Sequence, residues 1–380
     1  MKMKRLIPGL CLALALGGCI QDEALNVEAA IDGCTGSDVQ LAIINKQGTK
    51  KSIDIYISKS ADLSSQNLTF TLSEGSAIHA NETLPGDTES TYDFSTQNPR
   101  YFTVTSEDGS NAPVYTITMI PAELPTSYHF ESLMEGNSDY PILYEYAPGA
   151  GGNVTRVLQW ASGNPGFKLT GMAGSPMEYP TIQVSEGRSG KAVKLETKDT
   201  GSFGQMVKMR IAAGNLFIGS FDINNAIQDP LGSTLFGHPF TQKPVRITGY
   251  YKYKSGGLST DADGNLTDET DRGDIYALFY KAPDNSHTLD GDVISLDGSI
   301  DPEVILFARI PEMEEAEEWT YFDIPFEIQD GHSAADINAQ DLADGKYKLG
   351  VVFSSSIKGA YFIGAVGSTL WIDEVNIECE

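Results

Sequence analysis

The closing segment Leu370-Trp371-Ile372-Asp373-Glu374-Val375-Asn376-Ile377 places an acid where an apolar face is expected. Side chains alternate across a strand, so Trp371, Asp373, Val375 and Ile377 share one face. A carboxylate among such neighbours costs several kcal/mol unless it is partnered. Glu131, in Tyr128-His129-Phe130-Glu131-Ser132 about 240 residues earlier, is a partner of the right kind. A second constellation has the parts for holding a sugar: flat aromatic faces for C–H-rich rings and planar polar groups for pairs of hydroxyls. Arg246, Tyr250 and Lys252 lie opposite the apolar Ile247, Tyr251 and Tyr253, and Tyr276 and Tyr280 lie opposite Ile275 and Phe279. Arg309 falls on a third strand, and if the three are neighbours they build a tyrosine and arginine surface on one sheet. Trp160 with Asn164, and Asn215 with Phe217, are the loop candidates for the same task. Each of these aromatic residues is equally suited to packing under a loop.

Other chemistry finds less support. Asp261-Ala262-Asp263-Gly264-Asn265-Leu266-Thr267-Asp268 has the acid spacing of a calcium loop. Counted from Asp261, however, Leu266 stands where glycine must turn the chain and Arg272 where a bidentate Glu is needed. That stretch reads as a solvated acidic loop. Glycoside hydrolysis needs two carboxyl groups about 5–5.5 Å or about 6.5–9.5 Å apart. Glu178, Glu196, Asp222 and Asp274 can be nominated, but no motif selects a pair. His129, His238 and His332 sit in no Ser-His-Asp or His-Glu-x-x-His pattern, and no phosphate-binding glycine loop occurs. No organic cofactor is expected.

The elements that must position these residues are strands. Val193/Leu195, Ile247/Tyr251/Tyr253, Ile275/Ala277/Phe279, Phe322/Ile324/Phe326 and Leu349/Val351/Phe353 alternate with period two. Helical spacing is hinted at only over Ala334 to Leu342. Strands without intervening helices imply an all-β fold with an antiparallel sandwich. At 380 residues the chain exceeds one ordinary core, so more than one domain is expected. Five short alternating runs between residues 39 and 119, bounded by Gly, Asn, Asp, Ser or Pro, describe a smaller β-sandwich over 26–122. Residues 123–125 form a stiff linker beside Pro121 and Pro125, and 126–380 form the larger domain.

The amino terminus directs export. Lys2, Lys4 and Arg5 precede an apolar stretch, Leu6 to Leu16, too short to span a bilayer. Leu16-Gly17-Gly18-Cys19 resembles the bacterial lipoprotein signal, which implies removal of residues 1–18 and acylation of Cys19, with residues 19–25 as tether. Several acyl chains, at about 0.8 kcal/mol per buried CH₂, hold where one does not. Gln21-Asp22-Glu23 resembles the tethers of surface-exposed lipoproteins in Bacteroides-type bacteria, implying an outer-membrane, surface-exposed location. The formal charge of −26 disfavours nucleic acid and anionic headgroups as partners, so contact with membrane is expected through lipid alone. Of four cysteines, Cys34 and Cys379 remain beyond the leader and anchor; at opposite ends of two domains, they do not suggest a disulfide.

Phe130-Glu131 near the start of the larger domain and Ile372-Asp373-Glu374-Val375 at its end resemble the first and last strands of jelly-roll carbohydrate-binding modules. There the two strands lie side by side and their acids hold a structural calcium, which nominates Glu131 and Asp373 as ligands. Calcium takes about six to eight oxygens, so backbone carbonyls would complete the shell. The alternative is a carboxylate pair bonded to backbone amides at the sheet edge. Trp160-Ala161-Ser162-Gly163-Asn164, Gly190 to Thr197, Ala213 to Gly219, Gly249 to Lys254, Gly273 to Ala277 and Gly367 to Asp373 are similar to a Bacteroides-type family called the putative carbohydrate metabolism domain. Residues 105–116 resemble the closing hairpin of bacterial immunoglobulin-like spacer domains. Together these resemblances imply an immunoglobulin-like spacer carrying a jelly-roll domain that binds a polysaccharide or glycan. The rival classes are a sandwich-fold glycoside hydrolase or polysaccharide lyase, and a structural subunit that contacts partner proteins in a surface complex.

Overall fold

A computed structural model describes residues 25–46, 51–58, 61–121, 124–136, 139–148, 154–284 and 287–380. The leader, Cys19, nearly all of the tether and Glu123 of the linker lie outside those residues. Two six-stranded antiparallel sheets face each other in the larger domain. The front sheet runs in the order Thr181–Val184, Ala192–Glu196, Thr369–Cys379, Pro244–Lys254, Ala316–Pro325, with Ser127–Tyr128 added against the third of these. The back sheet runs Asn215–Phe217, Tyr347–Ser354, Asp274–Lys281, Val304–Arg309, Glu327–Ile328, with His238–Pro239 added against the second. Val193, Leu195, Ile247, Tyr251, Tyr253, Ile275, Ala277, Phe279, Phe322, Ile324, Leu349, Val351 and Phe353 all meet in the core between them. Period two was therefore read on the correct faces of five strands. The helical hint near Ala334 resolves into a single 3₁₀ turn, Ala334–Asp336, and a five-residue helix, Ala339–Ala343.

Beginning and end of this domain do lie together: Ser127 pairs with Asn376 and Tyr128 with Val375. The parity expected for the closing strand holds for only half of it. Between Thr248 and Tyr250 of the neighbouring strand, the closing strand spends one residue more, passing from Asn376 to Asp373. Glu374 takes the extra step at φ 51°. Such a bulge swaps the faces on its two sides. Leu370 and Ile372 before it, and Val375 and Ile377 after it, point into the core, whereas Trp371 sits outside.

The smaller unit has a five-stranded sheet in the order Val39–Asn45, Lys51–Ile57, Val114–Pro121, Arg100–Thr105, Ala77–Ala80. Its second and third strands are parallel, and the others are antiparallel. Ile53, Ile55, Phe102, Val104, Tyr115 and Ile117 fill its core. Among the described residues the two cysteines, Cys34 and Cys379, are both free.

Candidate functional site

The nominated acids are held by one loop. Asp373 is fully buried, and its carboxylate accepts the Ser189 N–H at 3.0 Å and the Glu374 N–H at 2.8 Å. Burial pushes its carboxyl up to about 6 despite those bonds. Glu131 accepts the Lys191 N–H at 2.9 Å, while the Lys191 ammonium donates to the Glu131 carbonyl at 3.0 Å. The loop can approach because it carries glycines: a Cβ on Gly190, at φ +65°, would stand 2.2 Å from Glu131 Oε1. A Cβ on Gly187 would stand 2.8 Å from Asp373 Oδ2. Amide donors and an ammonium thus occupy the places a cation's oxygens would need, and the set does not fit calcium. Among the described residues no group of three or more His, Cys, Asp or Glu is arranged for a metal. The Asp261 loop is a tight turn in which Asp261 accepts the N–H groups of Asp263 and Asn265.

A cavity of about 360 Å³ lies on the outer face of the back sheet. Because Ile275, Ala277 and Phe279 point inward, Asp274 and Tyr276 point out. The register then sets Phe217, Val352, Tyr276 and Arg309 in one row across four strands, with Asn215, Ser354 and Asp274 in the next. Roofing residues come from the connections: Phe167, Phe203, Phe221, Leu231, Ile294 and Phe362. The helix Asn164–Lys168, which carries Phe167, is fixed by the fully buried Asn164. Its side chain donates to the Thr181 carbonyl at 2.8 Å and accepts the Thr181 N–H at 3.1 Å.

The floor is polar. Arg309 grips Asp274 through Nε at 3.1 Å to each oxygen and through Nη2 at 2.7 Å. Burial raises the Asp274 carboxyl, and the guanidinium opposes that rise. Nη1 of Arg309 has no partner among the described residues, and neither has the hydroxyl of Tyr276, a residue only 9% exposed. Asn215, another lining residue, accepts the Gly163 N–H at 2.6 Å through its oxygen, and its NH₂ has no partner among the described residues. Three donors that no group among the described residues uses therefore belong to residues lining one cavity with aromatic walls. The second acid of the lining, Asp297, is held below the usual carboxylate range by the Ser299 N–H and hydroxyl.

The sugar-binding residues read from sequence divide three ways. Asn215, Phe217, Tyr276 and Arg309 line the cavity. Trp160 does not: it is 2% exposed, packs on Tyr128 and Phe130, and gives its indole N–H to the buried Glu145 at 3.2 Å. Asn164 is consumed by Thr181, and Tyr280 is buried with its hydroxyl donating to the Phe236 carbonyl at 2.7 Å. Arg246 and Tyr250 belong to the front sheet, where Arg246 pairs with Asp323 and Tyr250 packs on Tyr321. The expected single tyrosine and arginine surface is thus two outer faces with the core between them. Of the acids nominated for hydrolysis, Asp274 alone lines the cavity. Arg272, Asp297, Tyr361 and the roofing phenylalanines were missed. For Asp297 a Ser two residues on is a turn signal, not a site signal; the phenylalanines sit on loops or on helices and strands too short to show a period.

A family model described as "Putative carbohydrate metabolism domain" matches residues 129–378. A crystal structure described as a putative glycoside hydrolase from Bacteroides thetaiotaomicron is similar at TM-score 0.82 and 38% identity. That similarity covers 95% of this chain and 99% of the other. Another, described as a putative glycoside hydrolase from Bacteroides vulgatus, has a TM-score of 0.61 and 39% identity over 68% of this chain and 99% of its own. No curated protein matches the chain. With the cavity-bearing region matched almost end to end, this chain belongs to the putative carbohydrate metabolism domain family.

Proposed function

We propose that the back-sheet cavity captures a carbohydrate, on a chain exported as a lipoprotein and held at the outer membrane through Cys19. The observation that carries this reading is that Tyr276, Arg309 and Asn215, whose hydroxyl, Nη1 and NH₂ have no partner among the described residues, line one cavity with Phe217, Phe167 and Phe221. Sugars need that combination, since buried hydroxyls demand partners and ring C–H faces demand aromatic walls. The volume is within the usual range for small-molecule sites, about 300–1,000 Å³. Family membership and the description of two similar structures as "putative glycoside hydrolase" support a carbohydrate as ligand. The smaller sandwich then serves as an immunoglobulin-like spacer.

A second reading, hydrolysis of the captured glycan, is favoured by one observation. Two acids, Asp274 and Asp297, line the cavity, and glycoside hydrolysis uses a pair of carboxyl groups. A glycan array with the purified chain, followed by analysis for new reducing ends or unsaturated sugars, separates the readings. Binding without product supports capture, and product that disappears in Asp274→Asn and Asp297→Asn supports hydrolysis. Silence on every glycan overturns both and leaves a structural subunit. Labelling with radioactive palmitate that is lost in Cys19→Ser checks the anchor.

A further inference from the structure

The outer face of the front sheet, on the far side of the core from the cavity, carries an ordered row of its own. Lys194 stands opposite Trp371, and Trp371 stands opposite Lys252, in adjacent strands. The Lys194 Nζ lies 6.0 Å from the Trp371 ring, and the Lys252 Nζ lies 5.2 Å from the ring of Trp319 one strand further. Cation, indole, cation and indole thus alternate across four strands, about 14 Å at ordinary strand spacing. Beside them Arg188 lies 5.0 Å from the ring of Tyr250, which packs at 5.4 Å on Tyr321, itself 54% exposed.

Two features set this face apart. None of the four aromatic rings is part of the core, which is filled from the opposite side of the same strands. The chain has 52 acids for 26 lysines and arginines, yet neither Lys252 nor Arg188 pairs with a carboxylate among the described residues. Charges on a solvated sheet face ordinarily find an opposite charge on the same face, as Lys194 does with Glu196 along its own strand at 2.7 Å and Arg246 with Asp323 across strands. Here cations are held over ring faces and left with their charge unneutralised. A ligand that suits this pattern offers flat C–H faces to the rings and an anion to each free cation, at a repeat comparable to the row.

We propose that this face binds an acidic polysaccharide, a chain of uronate-type sugars, independently of the cavity. Ring faces lie on Trp319, Trp371, Tyr250 and Tyr321, and carboxylates meet Lys252 and Arg188. The chain's negative field does not prevent this, because beyond about 8 Å at physiological ionic strength it is screened and the contact charges decide.

The test uses the full chain, in buffer of physiological ionic strength, with polygalacturonic acid and the same polymer fully methyl-esterified. Binding is read by calorimetry, and the melting temperature is followed for each variant. The acid form binds and the ester binds at least about tenfold more weakly; Lys252→Gln and Trp319→Ala each weaken the acid form about tenfold. Lys252 is half-buried and outside the core and Gln is near-isosteric, so Lys252→Gln reports even if Trp319→Ala loosens the sheet. Equal binding of the ester, or unchanged affinity in Lys252→Gln, overturns the proposal. Binding to phosphatidylglycerol vesicles in place of the polymer, lost in the same variants, assigns the face to lipid and also overturns it. So does a dimer of the chain that Trp319→Ala dissociates.

Discussion

Tyr276 and Arg309 face each other across neighbouring strands, yet they carry different loads. The tyrosine hydroxyl bonds no described protein group, so its removal leaves nothing unpaired. Tyr276→Phe should keep the melting temperature within about 2 °C of the parent while weakening a captured glycan about tenfold, as calorimetry on the array's best ligand would show. Arg309→Ala removes the cation bonded to the buried Asp274 carboxylate and should destabilise the chain by about 3 kcal/mol. Its pH dependence has a definite sign. Burial already raises Asp274, and losing Arg309 raises it further. An acid raised in the folded state favours folding most below its unfolded pKa, and that contribution is lost as pH rises through the folded value. Urea melts of Arg309→Ala against the parent should therefore show a larger deficit at pH 7 than at pH 4.

At the scale of elements, the loop between Val184 and Ala192 is a latch that Glu131 and Asp373 close from opposite termini of the domain. Gly190→Ala forces a side chain onto Glu131 and takes a positive φ from the residue that tolerates it, at a cost of about 1–3 kcal/mol in a denaturant melt. Since N–H groups satisfy both acids, a chelator such as EGTA should move the melting temperature by less than about 1 °C. A fall of several degrees would reinstate calcium at this edge. The bulge at Glu374 shows why the closing strand was half misread. Alternation predicts faces only while every residue has a partner, and one extra residue exchanged Trp371 for Ile372. The same exchange put an indole on the front face, where it stands opposite Lys252.

Across the whole molecule, the smaller unit is more than a stalk. Asp54, fully buried on its parallel strand, pairs with Arg156 of the larger domain. Tyr56 accepts the Gln159 N–H at 3.1 Å and packs at 4.8 Å on His238, and Asn45 and Gln159 exchange amide bonds at 3.1 and 3.2 Å. Burial pushes Asp54 up to about 6, against the pull of Arg156. This group consequently favours the joined fold most below about pH 4, and the contribution is lost as pH rises to about 6. Arg156→Met leaves Asp54 without its cation and should cost about 3–5 kcal/mol at pH 7 and less at pH 4.5. Calorimetry should show one transition in the parent split into two in the variant, as the units uncouple.

Local chemistry was legible without coordinates wherever neighbours in sequence settle it. Period-two runs named the core faces of five strands, the turn residues marked their ends, and the absence of a helical period excluded helices of length. Phe130 and the closing segment could be paired on resemblance, and Ser127 and Tyr128 do lie against that segment. Which outward faces share a sheet was not legible, because it depends on strand order, and strand order is decided by contacts hundreds of residues apart. Hence Tyr250 and Tyr276, equivalent on paper, stand on opposite sides of the core. Trp160 and Asn164 were named for their side-chain chemistry, but burial by distant strands commits that chemistry to Glu145 and Thr181. A cavity exists only where loops that carry no periodic signal close over a row of strands, and that closure belongs to the tertiary structure.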